Sequence, residues 1–327
     1  MRKLRRHAIH VIAGIVSYTG GSVGYGLAQS YPVKPIRMLA GFAAGSSTDA
    51  IARLIAQKLT ENLGQSVVVE NRTGAAGAIA NELAAKSPVD GYTLLVVTPG
   101  ATILPAIRTK LPYDLERYFA PVSLVANGAL ALVIHPSVPA RSVKELIALA
   151  RAQPGRLSYG SSGVGSFQHL AGELFNLMGN VNVVHVPYKG GSETVIAAVG
   201  GQIEMTYPSV TTALPMLETD KLRALAVTGL KRESLLPSVP TLNESGLTGY
   251  DRTVWYGVAV PAGVPKEIIT RLNTIIGKAF NTPEMKEALI KLGAEPQTNT
   301  PEQFASFIHN EIAQNARLIK FAKVQAE

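Results

Sequence analysis

The chain lacks cysteine altogether and carries few charged side chains. The absence of cysteine from 327 residues excludes disulfides, thiolate metal sites, a cysteine nucleophile and a lipid-modified N-terminal cysteine. Charged residues make up 17% of the chain and hydrophobic residues 46%, which is typical of a globular protein and not of a disordered one. A chain of this length favours two domains over one.

Long hydrophobic runs are also missing, and the most apolar stretch lies at the N-terminus. Residues 1–6 are basic, residues 8–16 are apolar, and small residues at 26 and 28 suit a cleavage site after Ala28. We therefore predict a signal peptide over residues 1–28 and a periplasmic protein. The alternative, a membrane anchor, needs about 18–20 apolar residues. Removing the four cations of this segment lowers the formal net charge from +8 to +4, which suits anionic ligands but not nucleic acid.

Enzyme signatures are likewise absent from the sequence. There is no phosphate-binding P-loop and no dinucleotide fingerprint, and the one G-x-S-x-G match, at residues 20–24, falls in the predicted signal peptide. The histidines outside that segment form no pair at metal-ligand spacing. We therefore expect no catalysis, no cofactor and no metal. A hydrolase that uses Ser166 and His169 stays open as a distant alternative, although no acidic partner follows at a recognisable spacing.

The sequence contains one strand–loop–helix pattern twice. Residues 36–59 and 157–175 each read as a short apolar strand, a loop of Gly, Ala and Ser, and an amphipathic helix, with Asp49 or Thr48 expected to cap the first helix. Small loop residues let a ligand approach the backbone, and a helix start attracts anions through its unpaired N–H groups and its dipole. Two such patterns predict two lobes that face one cleft and bind a small carboxylate.

Strands and helices alternate along the chain, which predicts an α/β fold with mainly parallel sheets flanked by helices. Ligands bind such sheets at the carboxyl ends of the strands. We place the first lobe at residues 29–128 and 253–327 and the second at residues 129–252. Further strand-end loops are expected at residues 98–102, 187–192 and 208–212.

The predicted ligand contacts come from these loops. Hydroxyl groups beside backbone N–H groups can hold a carboxylate without a buried counter-ion, although ordinary strand–helix turns would look the same. His169 could contact the ligand or bond the adjacent loop, and Lys189 could lie at the rim or in solvent. The candidates are Phe42, Ala44, Gly45, Ser46, Ser47, Thr48, Asp49, Thr98, Pro99, Gly100, Ala101, Ser161, Ser162, Gly163, Val164, Gly165, Ser166, His169, Tyr188, Lys189, Gly190, Pro208 and Ser209.

Several motifs along the whole chain resemble one family, the Bug proteins, which are periplasmic substrate-binding proteins of tripartite tricarboxylate transporters. The motifs are Tyr31-Pro-Val-Lys-Pro-Ile36, Leu63-Gly-Gln-Ser-Val-Val-Val-Glu-Asn-Arg72, Asp90-Gly-Tyr-Thr-Leu94, His185-Val-Pro-Tyr-Lys-Gly190 and Trp255-Tyr-Gly257. The resemblance implies a two-lobed, type II-like periplasmic binding fold. It also implies a di- or tricarboxylate or an aromatic acid between the lobes. A monomer that reaches the membrane only through its transporter is expected, and a sensory role stays open as the alternative.

The sequence departs from the family pattern in two loops. The first loop reads Gly41-Phe-Ala-Ala-Gly-Ser46 where the family usually has Pro-Phe-x-Pro-Gly-Gly. Tyr207-Pro208 stands where a Phe-Asp pair is common, and the loss of that acidic residue argues against an α-amino acid ligand, whose ammonium group needs a carboxylate.

Overall fold

The computed structural model describes residues 31–324 apart from 109, 189 and 322, so the predicted signal peptide and Lys189 lie outside the described residues. The described strands and α-helices all belong to the unit that begins at Pro32. The strands are β1 Ile36–Ala40, β2 Val67–Asn71, β3 Thr93–Val97, β4 Phe119–Ala129, β5 Ala131–Ile134, β6 Ser158–Ser161, β7 Val184–Pro187, β8 Met205–Thr206, β9 Arg223–Val227, β10 Thr253–Pro261 and β11 Glu295–Pro296.

The helices fill the segments between these strands. They are α1 Ser47–Leu63, α2 Ala78–Ala85, α3 Pro99–Ile107, α4 Val143–Ala152, α5 Phe167–Gly179, α6 Gly191–Val199, α7 Val210–Glu218, α8 Lys266–Phe280, α9 Pro283–Lys291 and α10 Pro301–Phe321, with a 3₁₀ turn at Ala75–Gly77. Among these helices, none combines the length and the apolar character that a membrane crossing requires.

Two sheets organise the fold. The first has the strand order β11-β4-β10-β3-β1-β2 and the second the order β7-β6-β8-β5-β9. In each sheet most strands run in the same direction, as predicted. The strands that oppose them are β10 and the two-residue β11 in the first sheet and β5 in the second. Both β10 and β5 follow a passage of the chain from one sheet to the other.

The chain passes between the sheets twice. It leaves the first sheet at Ala129 and enters the second at Ala131, with Leu130 between the two strands, and it returns through β10 from Thr253 onward. These two passages motivate our division into lobes at residues 129 and 253, which stays a proposal.

Apolar side chains fill the cores of both lobes, a second cluster in the second lobe around Val133 and Val227, and a region between the lobes. The first-lobe core surrounds Trp255 and Phe304, and the second-lobe core surrounds Tyr159 and Phe175. A smaller cluster joins the lobes, because it combines Ile103 of α3, Leu170 of α5, and Leu318 and Ile319 of α10. The lobes therefore share buried apolar contacts beside the cleft.

The start of α1 differs from the prediction that Asp49 or Thr48 caps this helix. Ser46 is the N-cap, since its Oγ accepts a hydrogen bond from the Asp49 N–H at 3.2 Å. Asp49 lies three residues into the helix. Its carboxylate accepts bonds from the Gly45 N–H, from Asn71 and from Arg53, which holds it against the loop and β2. At its other end α1 stops at Gly64, which is in the left-handed conformation that glycine adopts without strain.

Two predicted loops are helices instead. Residues 99–107 form α3, with Thr98 at the N-cap and Pro99 in the first turn, and Ser209 caps α7. Each helix contains an internal proline, Pro105 or Pro215, which normally indicates a break because proline lacks the N–H that the helix needs. In these short helices the remaining backbone bonds and the packed face outweigh that loss.

Two helical glycines provide a test of the packing. A Cβ at Gly172 of α5 would overlap the ring of Tyr159, whereas a Cβ at Gly277 of α8 would meet nothing within 4 Å. We expect Gly172→Ala to destabilise the protein by about 1–3 kcal/mol through overpacking. Gly277→Ala should stabilise it by about 0.5–1 kcal/mol, because alanine is the better helix former. Urea unfolding measures both, and equal stability of Gly172→Ala and the wild type would contradict this packing.

Candidate functional site

A cavity of about 180 Å³ lies between the two lobes. One wall comes from the Ala75–Gly77 turn and one face of α3, and the other comes from the loop between β6 and α5. The lining residues are small, apolar or hydroxyl-bearing, with one cation: Ala75, Ala76, Gly100, Ile103, Leu104, Ile107, Arg108, Ser162, Val164, Gly165, Ser166 and Val324. The volume is below the roughly 300–1,000 Å³ of sites for drug-sized ligands, so the cavity suits a small molecule.

The first-lobe wall is built from unusual backbone. Ala75 and Ala76 have φ values of 51° and 55°, in the left-handed region that residues with a Cβ rarely adopt. The start of α3 approaches them so closely that a Cβ at Gly100 would lie 2.6 Å from the Ala76 carbonyl oxygen. Such backbone costs of order 1–3 kcal/mol per residue and is often found at functional sites. Glycine at position 100 is what permits the approach.

The second-lobe wall presents a helix start to the cavity. Ser166 caps α5 by accepting a hydrogen bond from the His169 N–H at 3.2 Å. Because its Oγ is the acceptor there, its proton can be donated to a ligand. The N–H groups of Phe167 and Gln168 have no acceptor within the helix, and the first turn contains no acidic residue. This end of α5 therefore favours an anion.

Two stacked histidines support that loop. His169 Nδ1 accepts the Gly165 N–H at 2.9 Å, and the rings of His169 and His185 stack with their centroids 3.8 Å apart. Burial lowers the pKa of each histidine to about 4, and for His185 the neighbouring His169 adds to the effect. Both are therefore neutral near pH 7. Of the two interpretations of His169, the structure shows the bond to the adjacent loop.

The serines are arranged for binding and support. Ser166 Oγ meets the backbone N–H of His169 and not its ring, so the pair of the hydrolase alternative does not form. Ser161 Oγ lies 2.6 Å from His185 Nε2, but Ser161 is fully buried and a substrate cannot reach it. Ser162 donates to Gln168 Oε1 at 2.8 Å, which fixes the loop to the first turn of α5.

A buried tyrosine and a glutamate complete the support below the histidines. The Tyr159 hydroxyl donates to Glu173 Oε1 at 2.6 Å and lies 3.1 Å from the His169 carbonyl oxygen. Burial raises the pKa of Glu173, although its hydrogen bonds from Tyr159 and Asn176 act in the opposite direction. In the described part of the chain, no group of three or more acidic or histidine side chains could hold a metal ion.

The first Gly/Ser loop supports the site without lining the cavity. The Asp49 carboxylate already supplies an anion at the start of α1: burial acts to raise its pKa, but hydrogen bonds from Arg53, Gly45 and Asn71 lower it overall. The Phe42 carbonyl oxygen accepts a bond from Asn71 at 2.9 Å. The predicted residues of this loop that do not line the cavity are Phe42, Ala44, Gly45, Ser46, Ser47, Thr48 and Asp49.

The loop nevertheless backs the first-lobe wall. A Cβ at Gly41 would lie 2.7 Å from Gly77 Cα, so the loop packs directly behind the 75–77 turn. In the other strand-end loops Thr98 and Ser209 act as N-caps, Gly190 precedes α6, and the Tyr188 N–H bonds the Ser161 carbonyl oxygen.

Five of the predicted residues line the cavity together: Gly100, Ser162, Val164, Gly165 and Ser166. Sequence reasoning missed the 75–77 turn, the apolar face of α3, Arg108 and Val324. The one available signal was Gly74-Ala-Ala-Gly77, which predicts a turn but not its approach to α3.

Comparisons with known proteins agree on one family. The model of a family described as "Tripartite tricarboxylate transporter family receptor" matches residues 51–324. Protein BugT of Bordetella pertussis is 35% identical over 311 residues, which cover 94% of this chain and 95% of BugT.

Solved structures are similar to this chain in sequence and in their two-lobed fold. An R. palustris protein with adipate is 36% identical, has a TM-score of 0.79, and is matched over 91% of this chain and 100% of its own. MatC from Rhodopseudomonas palustris with bound malate is 28% identical with a TM-score of 0.74, matched over 88% of this chain and 100% of its own.

The histidine pair makes stability depend on pH. An unfolded histidine has a pKa near 6.5, above the folded value of about 4, so between these values the unfolded chain binds more protons. Stability should therefore fall as pH drops from about 6.5 to 4, by up to about 1.4 kcal/mol per pH unit for each histidine. Urea unfolding from pH 7 to 4.5 measures this slope.

A pair of variants assigns the slope to its source. His185→Gln removes one of the buried rings and should flatten the pH dependence, whatever it does to stability at pH 7. His135→Gln changes a histidine outside the pair, whose Nδ1 lies 2.7 Å from the Ser137 hydroxyl, and should leave the slope as in the wild type. An unchanged slope in His185→Gln would show that the buried pair is not responsible.

Proposed function

The chain belongs to the tripartite tricarboxylate transporter receptor family, and from this premise we propose that it binds a small organic carboxylate in the cavity between its lobes. Members of this family are receptors and not enzymes. The predictions of a non-enzymatic Bug-type binding protein and of the two-lobed fold are thereby confirmed.

The observation that carries the proposal is the open start of α5 in the cavity wall. Ser166, the N-cap of α5, lines the cavity, and its hydroxyl and the N–H groups that follow it in the first turn of α5 are neutral donors. Hydrogen bonds to a carboxylate are stronger than bonds between neutral groups, and they avoid the cost of burying a second charge as a counter-ion. A helix start with its own acidic residue, such as α1, does not offer a ligand a positive end without an anion.

The ligands of two relatives support this ligand class. The proteins with bound adipate and malate are 36% and 28% identical to this chain, and both ligands are small carboxylates. We propose ligand contacts from Gly100, Ser162, Val164, Gly165 and Ser166, all of which line the cavity.

We propose that the lobes close on the ligand by a hinge motion at the two chain passages. Contacts across the cleft support this, because a Cβ at Gly165 of the second lobe would lie 2.6 Å from Ile107 Cδ1 of the first. The closed form would then deliver the carboxylate to a tripartite membrane transporter from the periplasm, after removal of residues 1–28.

A thermal-shift experiment on residues 29–327, refolded to remove bound ligand, tests the ligand class. A ligand at 100 times its dissociation constant should stabilise the native state by roughly 2.7 kcal/mol. Adipate, malate, citrate and benzoate form the panel, and adipamide is the control because it has the size of adipate without its charge. A shift with adipamide equal to that of adipate, or no shift with any acid, would contradict the proposal.

Gly165→Ala tests closure. The change places a side chain at φ 73° and brings it against Ile107, so the lobes must separate or Ile107 must turn into the cavity. We expect ligand affinity to fall about tenfold or more, which corresponds to about 1.4 kcal/mol. Isothermal titration calorimetry measures the affinity.

Gly249→Ala is the matched control for this change. Gly249 has a similar φ of 88°, but a Cβ there meets nothing within 4 Å. It should lose stability through backbone strain and keep its affinity for the ligand. Equal affinities of the two variants would show that the contact across the cleft does not matter for binding.

A further inference from the structure

One face of α3 runs along the cavity and changes character from end to end. Gly100, Ile103, Leu104, Ile107 and Arg108 follow the spacing of one helical face, and all five line the cavity. The helix start, with the Gly100 N–H, lies at one end. The apolar side chains lie in the middle, and the guanidinium-bearing residue lies at the other end.

Arg108 is the one charged residue in the described lining of the cavity. It is half-buried, and in the described part of the chain no acidic side chain forms an ion pair with it. The remaining lining side chains are neutral, so the cavity itself contains no counter-charge for this cation. A charged group of the ligand can supply it, and guanidinium binds carboxylate through two parallel hydrogen bonds.

The two anion-binding groups come from opposite walls of the cavity. Ser166 and the start of α5 belong to the second-lobe wall, and Arg108 belongs to the first-lobe wall, where it is the C-cap of α3. Ile103, Leu104 and Ile107 precede Arg108 in the same wall and give it an apolar surface.

Resting on the proposed function, we infer that Arg108 binds the second carboxylate of an α,ω-dicarboxylate whose apolar spacer packs on Ile103, Leu104 and Ile107. The first carboxylate is held by Ser166 and the start of α5. A monocarboxylate leaves Arg108 without its partner, and an acid with hydroxyl groups in the middle places them on an apolar surface, which costs free energy. An ammonium group near Arg108 is repelled, which disfavours α-amino acids.

A pair of six-carbon acids distinguishes how much each end of the ligand contributes to binding. Adipate carries two carboxylates, and hexanoate carries one with the same chain length. We expect the wild type, measured by isothermal titration calorimetry, to bind adipate about 10- to 100-fold more tightly than hexanoate, the range for a charge-assisted hydrogen-bonded pair. The adipate affinity should also fall more steeply with added salt.

Three variants assign that difference to Arg108. Arg108→Gln should reduce the adipate affinity to near that of hexanoate and leave hexanoate binding unchanged. Arg108→Lys keeps the positive charge but lacks the planar guanidinium group. Its affinity for adipate should lie between those of the wild type and Arg108→Gln. Arg156→Gln is the control, because Arg156 is exposed in the turn before β6, at the opposite end of that strand from the cavity loop. Unchanged near-ultraviolet circular dichroism establishes that each variant is folded.

The outcomes separate this inference from the function on which it rests. Equal adipate affinity in the wild type and Arg108→Gln overturns the role of Arg108 and leaves the carboxylate receptor standing. A parallel loss of adipate and hexanoate binding in Arg108→Gln assigns Arg108 to the first carboxylate and overturns the two-ended arrangement. A wild type that binds no carboxylate at all contradicts the proposed function itself.

Discussion

The second-lobe wall of the cavity depends on one hydrogen bond, from the Gly165 N–H to His169 Nδ1. This bond needs an unprotonated Nδ1, and burial against His185 and Tyr159 keeps the imidazole neutral. Tyr159 can occupy its position only because residue 172 is glycine. A chain of packed groups thus runs from the core of the second lobe to the loop at the cavity. The loop can present its hydrogen-bond donors because the groups packed below it leave the loop little conformational freedom.

The two Gly/Ser loops, each with the helix that follows it, look alike in the sequence but differ in the structure, and the reason is electrostatic. Helix α1 contains Asp49 in its first turn, so its positive end already has an anion of its own. Helix α5 has no acidic residue in its first turn, and its N-cap Ser166 lines the cavity. The first loop therefore stabilises the backbone behind the 75–77 turn, and the second is the one to which we assign ligand binding.

Local signals predicted much of the fold, and tertiary contacts account for what they missed. The apolar run that opens residues 36–59 forms β1 where the sequence places it, and the amphipathic stretch after the Gly/Ser loop forms α1, because neighbouring residues set both. Helices α3 and α7 were missed because an internal proline outweighs their apolar pattern in any local reading. Arg108 and the 75–77 turn were missed because only the packing of α3 against that turn, through Gly100, brings them to the cavity.

The residues that the sequence predicted and those that it missed contribute different properties to the cavity. Neutral donors at the start of α5 suit any carboxylate, because they respond to charge and not to the rest of the molecule. The face of α3 adds shape, apolar surface and a cation at a fixed distance, which are the properties that distinguish one acid from another. Because general anion binding depends on backbone, it leaves a Gly/Ser signature in the sequence. Selectivity depends on which side chains a helix turns toward the cleft, so it becomes visible only in the folded structure.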